Sequence, residues 1–151
     1  MVNITTYSDG ASRGNGFANS KCSIGGIIYD SEGNTLAELS MRLPDGCTNN
    51  QAEYHSLIET LKLVKGMHGV KSITSMMDSN LVVQQVNGKW KINLDSLRIL
   101  RKEVIALVKQ IGVPFELKYV PREHNSVADA LANKAFKGEW YNIDKIKSGY
   151  I

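Results

Sequence analysis

Four carboxylates in this chain fall where a fold could use them: Asp9, Glu53, Asp78 and Asp129. Asp9 closes a first predicted strand, just ahead of Gly10. Glu53 precedes Leu57 by four residues and Leu61 by eight, which sets it on the apolar face of its own helix. Asp78 follows a later strand and starts a short helix, and Asp129 lies three residues after Ser126 in the last helix. Each has an ordinary alternative. Asp9 could make an Asp-Gly turn. Glu53 could cap a helix whose N-cap is Asn50, Asp78 could be an N-cap itself, and Ser126 with Asp129 has the spacing of a capping box. His124 stands in the loop before the last helix, where a solvated side chain is the ordinary reading.

Taken together the four ask for a cation. Gathered carboxylates repel one another, and a bound divalent ion relieves that repulsion. All-oxygen ligands favour Mg²⁺, with Mn²⁺ as the alternative, over zinc. Carboxylates clustered beside a nucleic-acid backbone suit phosphodiester hydrolysis assisted by two metal ions.

The elements that must position them follow from periodicity. Val2–Ser8 alternates as a strand, and a glycine-rich loop runs from Gly10 to Gly16. Cys22–Tyr29 and Thr35–Arg42 read as further strands joined by a turn over 30–34, which together predict an antiparallel meander. Leu57, Ile58, Leu61 and Val64 mark a helix over about 50–65. Ser72–Met77 is a strand, and Asp78–Asn87 a short helix ended by Gly88. Leu97, Leu100, Val104, Leu107, Val108 and Ile111 form the stripe of a long amphipathic helix, stopped by Gly112 and Pro114. Phe115–Val120 is a strand broken by Pro121, and Ser126–Lys137 is a final helix. The order predicts an α/β fold: a mixed five-stranded sheet, meander first and parallel strands after, with helices packed on it.

One domain is expected over 1–151, with its core at about 2–137 and a tail at 138–151 carrying Trp140, Tyr141 and Tyr150. No apolar run is long enough for a membrane span, and the start of the chain lacks the pattern of a signal peptide. A cytoplasmic monomer is therefore expected. Cys22 and Cys47 make neither a disulfide framework nor a close metal pair, so two reduced thiols are expected. The formal charge of +3 permits a polyanionic partner without requiring one.

Four strings carry a resemblance: Tyr7-Ser-Asp-Gly-Ala-Ser-Arg-Gly-Asn15, Thr48-Asn-Asn-Gln-Ala-Glu53, Asp78-Ser-Asn-Leu-Val-Val83 and Pro121-Arg-Glu-His-Asn-Ser-Val-Ala-Asp129. In order, spacing and context they resemble the ribonuclease H type 1 family, over residues 2 to about 137. The resemblance implies a ribonuclease H-like fold in which the four carboxylates converge. It implies an endonuclease that hydrolyses the RNA strand of RNA–DNA hybrids with two Mg²⁺ ions, leaving 5′-phosphate and 3′-hydroxyl ends. Asp9 would bridge the ions, Glu53 and Asp78 would complete one site, and Asp129 the other. His124 matches a mobile-loop histidine that helps the product phosphate or proton leave. Asn15, Asn49 and Asn50 match positions near the RNA strand and its 2′-hydroxyls, the group that distinguishes RNA from DNA. Thr48 matches a position near a DNA phosphate.

The chain also departs from the family. Asn87-Gly-Lys-Trp-Lys-Ile-Asn93 joins the short helix directly to the next long one, so the chain resembles the branch without a basic protrusion. Lys89, Trp90 and Lys91 could do part of that work, as two cations for phosphate and an aromatic for stacking, or could be a plain turn. Asn80 stands where some relatives carry Gln, and Gln51 where many carry Arg; both bear on substrate contact. Two other readings remain. A module that binds hybrid without cutting would lack a carboxylate, and none is missing. A transposase- or resolvase-like nuclease would not carry the Thr48–Glu53 string.

Overall fold

The computed structural model describes residues 1–138 and the backbone of 141–142. Strands β1 (Val2–Arg13), β2 (Lys21–Tyr29) and β3 (Thr35–Leu43) form the expected antiparallel meander. Helix α1 (Asn49–Lys65) leads to β4 (Val70–Met77), which lies parallel to β1. Helices α2 (Asn80–Val86) and α3 (Asp95–Ile111) lead to β5 (Phe115–Tyr119), parallel to β4. A 3₁₀ turn (Arg122–His124) and α4 (Ser126–Phe136) follow. The sheet order is β5-β4-β1-β2-β3, with a two-residue strand β6 (Tyr141–Asn142) added antiparallel to β3. That added edge was read from the sequence only as tail; Trp140 and Tyr150 lie outside the described residues.

Helices pack both faces of the sheet, and two adjacent glycines show how. Successive strand residues point to opposite faces. On β2, a Cβ at Gly25 would lie 2.2 Å from the Ala128 carbonyl oxygen of α4, and one at Gly26 would lie 2.3 Å from Thr60 Oγ1 of α1. Only the bare backbone lets both helices come this close. The larger core lies between the sheet and the α1 side, around Tyr54, Leu57, Leu61, Ile73 and Val104, all at most 2% exposed. Buried hydroxyls there and under α4 find partners: Tyr54 donates to Gln85 Oε1 at 2.8 Å, and Ser23 to the Ala132 carbonyl at 2.7 Å, while Ser8 at the cleft end does not. Among the described residues no helix is long and apolar enough to cross a membrane.

Two expectations are corrected. β1 continues through the segment read as a glycine-rich loop, as far as Arg13, because β2 offers it a pairing partner from Asp9↔Gly25 to Arg13↔Lys21. Cys22 and Cys47 are not free thiols but a disulfide, with Cα atoms 6.3 Å apart. Cys22 sits opposite Leu43, so the loop after β3 need only turn back on itself to bring Cys47 over it. A sequence separation of 25 concealed this proximity.

Candidate functional site

Four elements converge at one end of the sheet. Asp9 lies on β1 where it pairs with Gly25, Asp78 directly follows β4, Glu53 is in the first turns of α1 and Asp129 in the first turn of α4. All four line one cleft of about 430 Å³, together with Gly10, Ala11, Asn49, Asn50, Ser79, Tyr119 and Arg122.

The ordinary alternatives for three of these carboxylates fail, and each failure has a local cause. Helix α1 is capped by Thr48, whose hydroxyl accepts from the Gln51 N–H at 3.1 Å while Gln51 Oε1 accepts from the Thr48 N–H at 2.8 Å. This complete capping box leaves Glu53 with no capping duty. Helix α2 is capped by Ser79, not Asp78. At α4 the N-cap position belongs to Asn125, which makes no side-chain cap bond, and Asp129 and Ser126 form no capping box.

Gly10 admits the closest approach. A Cβ there would fall 2.2 Å from the Ala52 carbonyl, so its absence lets α1 bring Glu53 against β1. The Gly10 N–H donates to Glu53 Oε1 at 3.3 Å, while Glu53 Oε2 is fully buried with no hydrogen-bond partner. Carboxylate oxygens of Asp9, Glu53 and Asp78 all lie within 4.8 Å of one another. Burial pushes the Asp9 carboxyl up to about 7, against a side-chain hydrogen bond with Glu53 that pulls it down, and Asp78 and Asp129 add to the rise. Burial and the neighbouring Asp9 push Glu53 well above the usual carboxylate range. An unpartnered buried carboxylate oxygen beside two further carboxylates is the donor set of a hard divalent cation, which would make the ionised forms favourable. The residues therefore fit Mg²⁺ or Mn²⁺. Asp129 stands just outside the tight trio, with Asn133 Nδ2 donating to it at 3.4 Å.

Not every residue singled out from sequence comes to this cleft. Asn49 and Asn50 line it. Asn15 does not; its side-chain oxygen accepts from the Asn49 N–H at 2.9 Å and so steadies the start of α1. Thr48 spends its hydroxyl on the cap. Asn80 is exposed beside the cleft and accepts from Gln84 Nε2. Lys89, Trp90 and Lys91 lie on the turn after α2, and Trp90 lines a separate groove with Arg98, Arg101 and Lys102.

His124 is not brought to the cleft. It lines a cavity of about 230 Å³ with Tyr7 and Tyr29, on the α4 face of the sheet. A 3₁₀ turn has three residues per turn, so positions two apart point in different directions. Arg122 lines the acidic cleft instead. The sequence reading missed Arg122 and Tyr119; the signal available was the Pro121-Arg-Glu-His string itself, had it been read as a 3₁₀ turn rather than as open loop.

Comparison with known proteins gives a consistent result. The family model described as "Reverse transcriptase-like" matches residues 9–135. The chain is 38% identical over 133 residues to ribonuclease HI of Halobacterium salinarum, covering 87% of this chain and 63% of that protein. It is 33% identical over 134 residues to the bifunctional protein Rv2228c of Mycobacterium tuberculosis, covering 89% of this chain but 35% of that one. The chain thus spans about a third to two thirds of the length of these relatives. Among solved structures, RNase H1 from Halobacterium salinarum superposes with a TM-score of 0.83 at 34% identity, covering 90% of this chain and 98% of that one. LC11-RNase H1 in complex with RNA/DNA hybrid superposes with a TM-score of 0.81 at 32% identity, covering 89% and 97%.

Proposed function

We propose that this chain, which belongs to the reverse transcriptase-like family and within it to the type 1 ribonucleases H, is an endoribonuclease that hydrolyses the RNA strand of RNA–DNA hybrids. The observation that carries the reading is the convergence of Asp9, Glu53, Asp78 and Asp129 on one open cleft, with an unpartnered Glu53 oxygen buried among them.

Asp9, Glu53 and Asp78 would hold one divalent ion, and Asp9 with Asp129 a second. When bound, the ions activate water and neutralise charge on the phosphate. The chain's own groups do the rest. Arg122 lines the cleft and is a cation available to the scissile strand, and His124 follows it on the same turn. Asn49 and Asn50 face the same space, where side-chain amides can read a 2′-hydroxyl as donor or acceptor. Contacts to sugar and phosphate carry no base readout, so little sequence preference is expected. Products would carry 5′-phosphate and 3′-hydroxyl ends.

The test is an end-labelled panel of RNA–DNA hybrid, duplex RNA and duplex DNA, with Mg²⁺ or with chelator. Cleavage of the RNA strand of the hybrid that stops on chelation is expected. Binding of hybrid without cutting, or robust cutting of duplex DNA, would overturn the reading.

A further inference from the structure

Asn125 occupies the N-cap position of α4, yet its side chain makes no cap bond. A side chain that commonly closes a helix end at this position is spent elsewhere. Both hydrogens of its amide are used: Nδ2 donates to the Ser8 carbonyl at 2.9 Å and to Asp78 Oδ1 at 3.2 Å. The residue is 1% exposed. Its main chain is equally committed. Its carbonyl accepts from the Asp129 N–H at 3.1 Å, and its N–H donates to the Arg122 carbonyl at 3.0 Å, closing the 3₁₀ turn.

One residue thus touches the strand residue before Asp9, the carboxylate of Asp78, the backbone of Asp129 and the turn that presents Arg122. Among the carboxylates, Asp9 shares side-chain hydrogen bonds with Glu53 and with Asp129, whereas Asp78 meets Asp9 and Glu53 only through its charge. What fixes Asp78 against repulsion from Asp9 and Glu53 must come from outside the trio, and the Asn125 amide is the donor in place. Asparagine suits this position for a specific reason: the site needs two N–H donors and no charge. Aspartate has no donor, and serine has only one.

We propose that Asn125 is a positioning residue that holds Asp78 in its ligating orientation and locks α4, with Asp129, to β1. It acts through Asp78 and touches no substrate. The inference rests on the hydrolase reading above, because it gives Asp78 a metal to hold. Outer partners of metal ligands characteristically change affinity by roughly 10–100-fold when removed.

The experiment measures Mn²⁺ binding by calorimetry in the absence of nucleic acid. The proteins are the wild type, Asn125→Ala, Asp78→Asn and the double variant, each checked for folding by circular dichroism and thermal melting. Hybrid cleavage is followed in parallel. Asn125→Ala is expected to weaken Mn²⁺ binding about 10-fold or more. In the Asp78→Asn background the same change should cost little, because the group it acts through is already gone. A purely structural role would instead give the same loss in both backgrounds, or a lowered melting temperature with metal affinity intact; either overturns the inference. If Asn125→Ala does not fold, Asn125→Ser keeps one donor and is put through the same cycle, with an intermediate loss of affinity expected and an unchanged affinity counting against the proposal. A wild type that neither binds Mn²⁺ nor cuts hybrid sinks the hydrolase reading and this inference with it. A wild type that does both, beside an Asn125→Ala variant with unaltered affinity, sinks the inference alone.

Discussion

The molecule has two clefts near α2, and they are built on opposite terms. The acidic cleft is made of buried groups that conflict. Asp9 is 7% exposed, and among the described residues the three buried side-chain atoms without a hydrogen-bond partner, Ser8 Oγ, Glu53 Oε2 and Asn125 Oδ1, all belong to that end of the sheet. The basic groove beside Trp90 is made of groups at ease. Trp90 is 48% exposed, Arg101 donates to the Gln85 and Val86 carbonyls at 2.9 and 3.1 Å, and Arg98 pairs with Asp95. Elsewhere the interior also satisfies its polar groups, as with Thr6 Oγ1 donating to Ser75 Oγ at 2.8 Å. Buried conflict confined to one place marks where a protein accepts instability for function. The acidic cleft should therefore couple stability to pH and metal, whereas the basic groove should report only on salt.

The largest effect expected from this difference is at Asp9. Replacing Asp9 with Asn should reduce cleavage by more than the roughly 100-fold that loss of an outer partner costs. Stability should move the other way. The Asp9 carboxyl is raised from 3.8 to about 7, so the folded state holds its proton more tightly than the unfolded chain. Its contribution is fully present below about pH 4 and is lost as pH rises through about 7. In metal-free protein above that range, Asp9→Asn should melt higher, by on the order of 5 °C for about 2 kcal/mol of relieved charge burial and repulsion. The gap should shrink towards pH 4, and saturating Mg²⁺ should close or reverse it by binding the wild type. Melting curves across pH, with and without Mg²⁺, check this. A variant that melts lower than wild type at pH 8 without metal would mean the cluster is not in conflict.

How far these two clefts were legible in the sequence differs for a physical reason. The elements were readable because periodicity reports burial directly: the stripe Leu97–Leu100–Val104–Leu107 places α3, and the carboxylates at element ends place the acidic cleft. Local competition between cap and ligand was not readable. Glu53, Asp78 and Asp129 each sit within three or four residues of a possible cap, and only the cap bonds of Thr48 and Ser79, with no side-chain cap at α4, free them. Direction within a turn was also hidden, so Arg122 was not singled out although it lines the cleft, whereas His124, taken from the family resemblance, lines the cavity beside Tyr7 and Tyr29. The Cys22–Cys47 bond depends on how the loop after β3 folds back, which no local pattern encodes.

That bond gives the second effect, behind the Asn49 and Asn50 wall of the acidic cleft. Cys47 directly precedes the Thr48 cap, and its carbonyl accepts from Ser12 Oγ, Ser20 Oγ and the Gly16 N–H. Closing a loop of 25 residues stabilises by about 3 kcal/mol on chain entropy. Reduction with a dithiol, or Cys47→Ser, should lower the melting temperature by on the order of 5–10 °C. Hybrid cleavage should weaken as Asn49 and Asn50 lose their fixed start of helix. Melting and cleavage with and without reductant check it, and indifference of both to reductant would show that the bond does not brace this wall.

The smallest effect tests the basic groove. Lys89 and Lys91 are exposed on the turn beside it, where their charge costs the fold nothing. Alanine at both should leave stability within about 0.5 kcal/mol. If the lysines meet phosphates of the hybrid, each releases counterions on binding, and the two together should flatten the slope of log affinity against log salt by roughly 2. The measurement uses Asp9→Asn protein, in which hybrid is bound but not consumed, titrated at several salt concentrations. Asp9→Asn alone should keep the full slope, since the groove is untouched. An unchanged slope in the lysine variant would remove this turn from the binding surface, leaving Arg122 and the asparagines of α1 to hold the substrate from the acidic side.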